Sequence, residues 1–506
     1  MNGTFEAAEW EEPWLRERAS RTPDRVALEW GASILSYAEL QTEAEALAEA
    51  LADLGVEAGD VVATLLENGA EFPRLLFGVR ELGAVLLPLN PRLVAQEAAY
   101  ILRDSGACLL VDSDDSVARH AARAAGGMSR AVMRGAQLRA APGNAARLTR
   151  QAPLCENPEE ILALVYTSGT TGRPKGALLS AAGFRASAQA SAALLGTGPD
   201  TRWLACMPLF HVGGLSILLR ACLAGSTVVI QSGFDPARVA EALDRRGITG
   251  VSLVATMLTR LLEARGERRA PEGLRWVLLG GGPAPPALLE RAHALGYPLA
   301  PTYGLTEAAS QVATRLPEDT APPYDSRLCR LPGMELKVVD SEGQTLPPEK
   351  AGEICVRGDA LMKGYRGQPE ATARALQGGW LHTGDLGILD GQGRLRVLDR
   401  RDDLIVSGGE NIYPAEIEAA LSSHPAVREA AVVGETDAEF GARPVAWWVA
   451  EEADSPAPDL AAYCRERLAG YKVPGRFVCI LELPRNAAGK LMRGKLRALS
   501  DSAPET

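Results

Sequence analysis

A chain of 506 residues is too long for a single hydrophobic core, so at least two domains are expected. Hydrophobic residues at 46% and charged residues at 23% are near the average for a soluble globular protein. Lys plus Arg total 53 against 64 Asp plus Glu, and the net charge of -11 argues against nucleic acid or an anionic membrane as partner. An anionic ligand would have to meet positive charge concentrated locally. The eight cysteines are scattered, without a CxxC pair or zinc-like Cys/His spacing, as reduced core residues of a cytoplasmic protein are. The N-terminal MNGTFEAAEWEEPWL lacks the basic and apolar regions of a signal peptide, and runs such as VVATLL and GAVLLPL are too short to span a membrane. The expected location is cytoplasmic; the sequence is compatible with a homo-oligomer.

In chain order, residues 40–54 read as an amphipathic helix stopped by Gly55, and 61–65 as a strand. Residues 72–82 form the next helix, followed by strand-like AVLLPL, a helix through 97–102 and a strand at 109–111. The rhythm returns with a strand at 226–230, a helix over 236–246, and strands at 251–254 and 276–280. Repeated strand-then-helix units predict parallel sheets covered by helices.

After about residue 331 the texture changes. Short alternating runs, MELKVVD, GEICVRG and GRLRVLD, are divided by Gly- and Pro-rich turns and predict a small antiparallel barrel or sheet. From residue 399 a third texture begins, with a helix in IYPAEIEAALSSHPAV, strands in AAVVGE and VAWWVA, and a helix over 459–468. The expected division is therefore 1–399 and 400–506, hinged at the short charged stretch 399–403.

Chemistry first shows at residues 166–176, YTSGTTGRPKG, directly after an apolar strand. Thr167, Ser168, Gly169, Thr170, Thr171, Gly172 and Lys175 make a loop dense in hydroxyls and accessible backbone N–H groups. Such a loop can wrap a polyphosphate. The Walker A spacing is absent, so this is a different phosphate loop.

With that string, the chain closely resembles the acyl-adenylate-forming superfamily of acyl-CoA synthetases, adenylation domains and luciferases. The likeness runs from TPDRVAL through PLFHVGG, YGLTEAA, GEICVRG, HTGDLG and DRRDDLIVSGGENIYPAEIE to LPRNAAGKLMRGKL. It implies an α/β fold, with a large N-terminal domain of two α/β subdomains plus a small β-barrel and a mobile α+β C-terminal domain. The implied substrates are ATP, coenzyme A and a small carboxylic acid, with Mg2+ as cofactor.

The resemblance also assigns roles. Lys490 matches the catalytic lysine, Thr306 sits beside the α-phosphate, and Glu307 matches the metal residue. Gly281, Gly282 and Pro283 would line the adenine and acyl pocket, and Tyr303 would stack on the adenine. Asp385, assisted by Arg400, would bind the ribose hydroxyls, since a carboxylate accepts from two vicinal donors. Asp402 matches the hinge, and the loop containing Gly408 and Gly409 would line the pantetheine channel after the C-terminal domain rotates. CoA thiolysis then needs no protein nucleophile.

Within the superfamily, PLFHVGGLSILLRA, LLGGGPAP, VSGGENIYPAEIE and the Ser310–Gln311 pair are most similar to o-succinylbenzoate–CoA ligases; benzoate-type aryl-CoA ligases share the SGGEN string. That likeness places His211, Arg220, Gly304 and Ser310 at the acid. The acid carries two carboxylates and only one is activated, so a guanidinium could pair with the other. Arg220 is the candidate.

Overall fold

The computed structural model describes residues 14–112, 132–134, 160–167, 174–282, 284, 286–320, 327–399, 404–451, 458–484 and 491–501. The helix predicted at 40–54 spans Tyr37–Asp53. It starts earlier because Ser36 and Glu39 form a reciprocal cap: Ser36 Oγ accepts from the Glu39 N–H at 3.2 Å, and Glu39 Oε2 accepts from the Ser36 N–H at 2.7 Å. Its stripe of Leu40, Ala44, Leu47, Ala48 and Leu51 is buried.

A six-stranded sheet runs in the order Val132–Arg134, Leu109–Asp112, Val61–Thr64, Val85–Pro88, Ile161–Thr167, Lys175–Ser180. It is parallel except for its last pair. A second sheet of 14 strands begins at the edge strand Ser33–Ser36 and crosses Val26–Trp30, Thr227–Ile230, Arg202–Ala205, Gly250–Val254 and Trp276–Gly280 to Leu299–Leu305. From Val26–Trp30 to Leu299–Leu305 its pairings are parallel. One apolar cluster joins the two sheets, uniting Leu86 and Val165 with Trp203, Val228 and Trp276 through helix residues such as Leu47, Leu76, Phe184 and Leu218.

The antiparallel region predicted as a barrel is an extension of that second sheet. Leu299–Leu305 pairs antiparallel with Ser310–Thr314, and the ladder continues through Arg327–Arg330, Leu395–Asp399, Trp380–Leu389 and Ala351–Arg357 to Glu335–Val339. Among the described strands this path is open, so no separate closed barrel forms. The join exists because Leu299–Leu305 bends straight back, giving the small strands an edge to continue.

The last hundred residues hold the hairpin Ile405–Ser407 with Glu410–Ile412, the helix Pro414–Ser422, and a sheet of Val427–Asp437, Gly441–Ala450 and Arg476–Cys479. They have their own core around Ile405, Ile412, Ile417, Leu421, Val432, Trp448 and Leu468. Among the described residues no helix is long and apolar enough to cross a membrane, and the seven described cysteines are unbridged.

Candidate active site

A cleft of about 580 Å³ opens where the two large sheets meet the C-terminal residues. Of the residues singled out in the sequence, it collects Thr167, Lys175, His211, Arg220, Gly281, Gly304, Thr306, Glu307, Ser310, Asp385 and Gly409 on one surface. Ser168, Gly169, Thr170, Thr171, Gly172, Pro283, Arg400, Asp402 and Lys490 lie outside the described residues.

On the nucleotide side, Thr167 pairs with Lys175 across an antiparallel ladder, so the phosphate loop springs from a hairpin. Lys175 Nζ lies 5.4 Å from the centre of the Tyr365 ring, and Tyr365 Oη donates to Glu307 Oε1 at 2.8 Å. The Met362 N–H donates to the Glu307 carbonyl at 2.8 Å, fixing the backbone of the same residue. Among the described residues no basic side chain pairs with the Glu307 carboxylate. An anionic oxygen held at a cleft wall suits Mg2+, which takes one or two carboxylates and completes its shell with phosphate and water.

Asp385 stands in the strand Trp380–Leu389, and its Oδ2 accepts from Tyr303 Oη at 2.6 Å. Tyr303 is only 4% exposed, and its phenol braces the carboxylate expected at the ribose. The turn before Asp385 is shaped by Glu353, which accepts from the Gly384 N–H at 2.8 Å and meets His382 Nδ1 at 3.1 Å. Glu353, Cys355 and His382 are close enough to share a cation. Their mixed sulfur, nitrogen and oxygen donors do not suit Mg2+, and both Glu353 oxygens are engaged in holding the turn.

The acyl side is built on the helix Val212–Ala224, which is buried along its length and has Arg220 as its one charged residue. His211 is its N-cap residue, and Gly225 ends it at φ +67°. Arg220 Nη2 donates to Ser310 Oγ at 3.0 Å, while its Nε is buried without a partner. No carboxylate pairs with it among the described residues. Burial lowers the guanidinium to about 9, leaving it charged at neutral pH but poorly solvated. An anion in the cleft would relieve that cost.

Ser310 is aimed by a strained turn, with Ala309 at φ +49° and Ser310 at φ +106°. Non-glycine residues there cost roughly 1–3 kcal/mol each and persist only when neighbours impose them. Ser187 Oγ does so in part, donating to the Ala309 carbonyl at 2.8 Å. Gly304 is the counterpart: a Cβ there would lie 1.9 Å from the Ser310 carbonyl oxygen, so only glycine fits beneath the turn.

The C-terminal wall is the hairpin whose two turn residues, Gly408 and Gly409, have φ of +58° and +89°. Paired positive φ values are what a two-residue hairpin loop demands. Its tip rests against Val254 of the second sheet, and Val406 lies beside Gly282. Glu410, next in the chain, pairs with Arg92, and its Oε2 lies 3.1 Å from His211 Nε2. Burial, reinforced by the Arg92 charge, pushes His211 down to about 4. The ring is therefore neutral at pH 7, and its Nε2–H donates to Glu410.

Glu353, Tyr365 and Lys472 line the cleft, and Arg92 pairs with its Glu410, yet the sequence reading did not single out these four, having named Glu410 only as the end of the glycine loop. Tyr365 and Glu410 stand within GYR and SGGEN, where they could have been noticed; Arg92 carries no motif.

Residues 15–366 match the AMP-binding enzyme family, and residues 416–490 match the AMP-binding enzyme C-terminal domain. A curated relative, the 2-succinylbenzoate–CoA ligase of Geobacillus kaustophilus, is 43% identical over 97% of this chain and 99% of its own. A double mutant of Bacillus subtilis o-succinylbenzoate CoA synthetase bound to its product analogue OSB-NCoA superposes with a TM-score of 0.88, at 38% identity over 98% of this chain and 99% of that one. The synthetase of the same organism in complex with ATP and magnesium ion superposes at 0.71, with 39% identity over 97% and 99%. Matches over most of the chain, joined to a cleft that gathers Thr167, Lys175, Glu307 and Asp385 on one surface, lead to one conclusion: the chain belongs to the AMP-binding enzyme family.

Proposed function

We propose that the protein activates the succinyl carboxylate of 2-succinylbenzoate with ATP and passes the acyl group to coenzyme A, a step of menaquinone biosynthesis. In the first half-reaction a carboxylate oxygen attacks the α-phosphorus, the bond to the bridging oxygen breaks, and pyrophosphate leaves. In the second, the CoA sulfur attacks the acyl carbon, the acyl–phosphate bond breaks with its electrons going to AMP, and the thiol proton is lost.

Positioning and charge carry both steps. The hairpin from Thr167 to Lys175 cradles phosphate, with Thr306 beside the α-phosphate, and Asp385, braced by Tyr303, takes the ribose hydroxyls. Glu307, oriented by Tyr365, would hold Mg2+, whose chemistry is to neutralise phosphate charge. The motif match assigns Lys490 to the first half-reaction, bridging carboxylate and α-phosphate. Since ATP and coenzyme A are cytoplasmic cosubstrates, the same reading puts the chain in the cytoplasm.

The observation that carries the choice of acid is Arg220, a buried cation in the cleft with an unpartnered N–H and, among the described residues, no carboxylate partner. The spare benzoate carboxylate of the substrate matches that need, with Ser310 as a second donor. The test measures AMP, pyrophosphate and acyl-CoA formed from 2-succinylbenzoate and from 4-phenyl-4-oxobutanoate, which lacks the ring carboxylate. Arg220→Leu should weaken use of 2-succinylbenzoate by about 2–5 kcal/mol in kcat/KM, as for an unpaired buried charge, and spare the analogue. Equal loss of both substrates would make Arg220 structural, and a wild type preferring benzoate would overturn the acid.

A further inference from the structure

Away from the reacting groups, Lys472 lies in a short turn, Gly470–Lys472, of the C-terminal residues and is 4% exposed. Its Nζ donates to Glu416 Oε1 at 2.7 Å and to Glu97 Oε1 at 2.8 Å. Glu416 stands in the C-terminal helix Pro414–Ser422, but Glu97 belongs to Ala95–Ser105, a helix beside the first sheet. The Glu97 Oε2 is occupied by the Val94 N–H at 3.1 Å, so this carboxylate is clamped to its own helix start. Beside it, Arg92 lies over the Tyr471 ring, and Asn90 Nδ2 donates to Tyr471 Oη at 3.3 Å.

One buried ammonium thus joins a carboxylate of its own domain to one of the other. Glu416 remains Lys472's partner wherever the C-terminal domain sits, because both move together. In an arrangement that carries the C-terminal domain away, Glu97 would be left without Lys472. The arrangement seen here superposes at 0.88 on the relative bound to its CoA product analogue and at 0.71 on the one bound to ATP and magnesium. Separating a buried cation from one of its carboxylates leaves charge that must be resolvated, so the contact discriminates between arrangements.

We propose that Glu97 and Lys472 are positioning residues for the thioester-forming half-reaction alone, acting as the docking contact that holds the C-terminal domain in its CoA-accepting place. The inference rests on the two-step ligase reading above. It touches neither substrate nor metal, and it leaves adenylate formation without a need for Glu97.

The experiment follows the two halves separately in the full-length protein: pyrophosphate release from ATP and acid, and acyl-CoA formation from supplied acyl-adenylate and CoA. Glu97→Gln keeps the shape of the helix start and removes the charge. It should slow thioester formation at least tenfold, about 1.4 kcal/mol, with adenylate formation within about twofold of wild type. Combining Glu97→Lys with Lys472→Glu restores two carboxylates around one ammonium and should recover most of the lost rate. Equal slowing of both halves by Glu97→Gln, no slowing of either, or a folded double variant without recovery would each overturn the proposal. The choice of acid fails separately: if the wild type activates a different acid, the same measurement is made with that acid's adenylate. A wild type that forms no thioester from any adenylate removes the ligase reading and this inference together.

Discussion

On its N-terminal side the cleft is walled by groups fixed from behind. Tyr303 braces Asp385 from within the core, Tyr365 orients Glu307, and Glu353 holds the turn before Asp385. On its C-terminal side the wall is held across a gap by charge: Glu410 against Arg92 and His211, and Lys472 against Glu97. On the expectation that the C-terminal domain rotates between the half-reactions, the contrast follows from what each wall must do. A wall that stays can bury apolar area with its supports, but one that leaves must expose its contacts without a large hydrophobic penalty. Groups that water can solvate again are the material for that, as in other transient interfaces between domains.

The largest effect that would sharpen this contrast comes from the fixed wall. Gly304→Ala sets a methyl against the Ser310 carbonyl, so the strained turn must move. A loss of about 3 kcal/mol in unfolding free energy is expected, read by denaturant titration, with both half-reactions falling together. Selective loss of one half would show that this wall, too, serves a single step.

A smaller effect, confined to one half-reaction, is expected from the removable wall. Arg92→Gln breaks a pair whose arginine is half exposed, worth about 1 kcal/mol or about fivefold. Stopped-flow measurement should find that loss in thioester formation and not in pyrophosphate release. A pronounced defect in adenylate formation would break the comparison.

The smallest effect is a displaced titration. His211 should protonate only near pH 4, below the ordinary 6.5, because burial and Arg92 oppose its charge. The sign follows from linkage: the unfolded chain takes up this proton first, so the stabilisation is complete above 6.5 and declines as pH falls towards 4. Proton NMR of the imidazoles, with His211→Asn for assignment among the five histidines, reads the midpoint directly. A midpoint at 6.5 would mean that desolvation and the Arg92 charge do not govern this ring.

Much of the fixed wall was legible in the sequence, because local strings position it. Thr167 and Lys175 flank the phosphate-loop string, Thr306 and Glu307 directly follow the strand Leu299–Leu305, and Asp385 lies within the strand Trp380–Leu389, each inside its motif, while Arg220 is picked out by the likeness of PLFHVGGLSILLRA. The removable wall was not legible. Arg92 meets Glu410 across 318 residues and Lys472 meets Glu97 across 375, and periodicity carries no information over such spans. The strands themselves were read well, but their joining was not: alternation predicts that residues after 331 pair antiparallel, yet cannot say that they continue an existing sheet.

If the C-terminal domain rotates as the family resemblance implies, the Gly408–Gly409 hairpin would complete the cleft only while that domain is docked, and the full cavity would belong to one member of an ensemble. A compound spanning Gly281 on one wall and Gly409 on the other would find its binding surface only in that member. Its apparent dissociation constant would be its intrinsic one divided by the docked fraction. Once bound it would act as a staple, holding the protein in a single arrangement. An alternating enzyme stalled in this way would be inhibited without any competition for the phosphate loop.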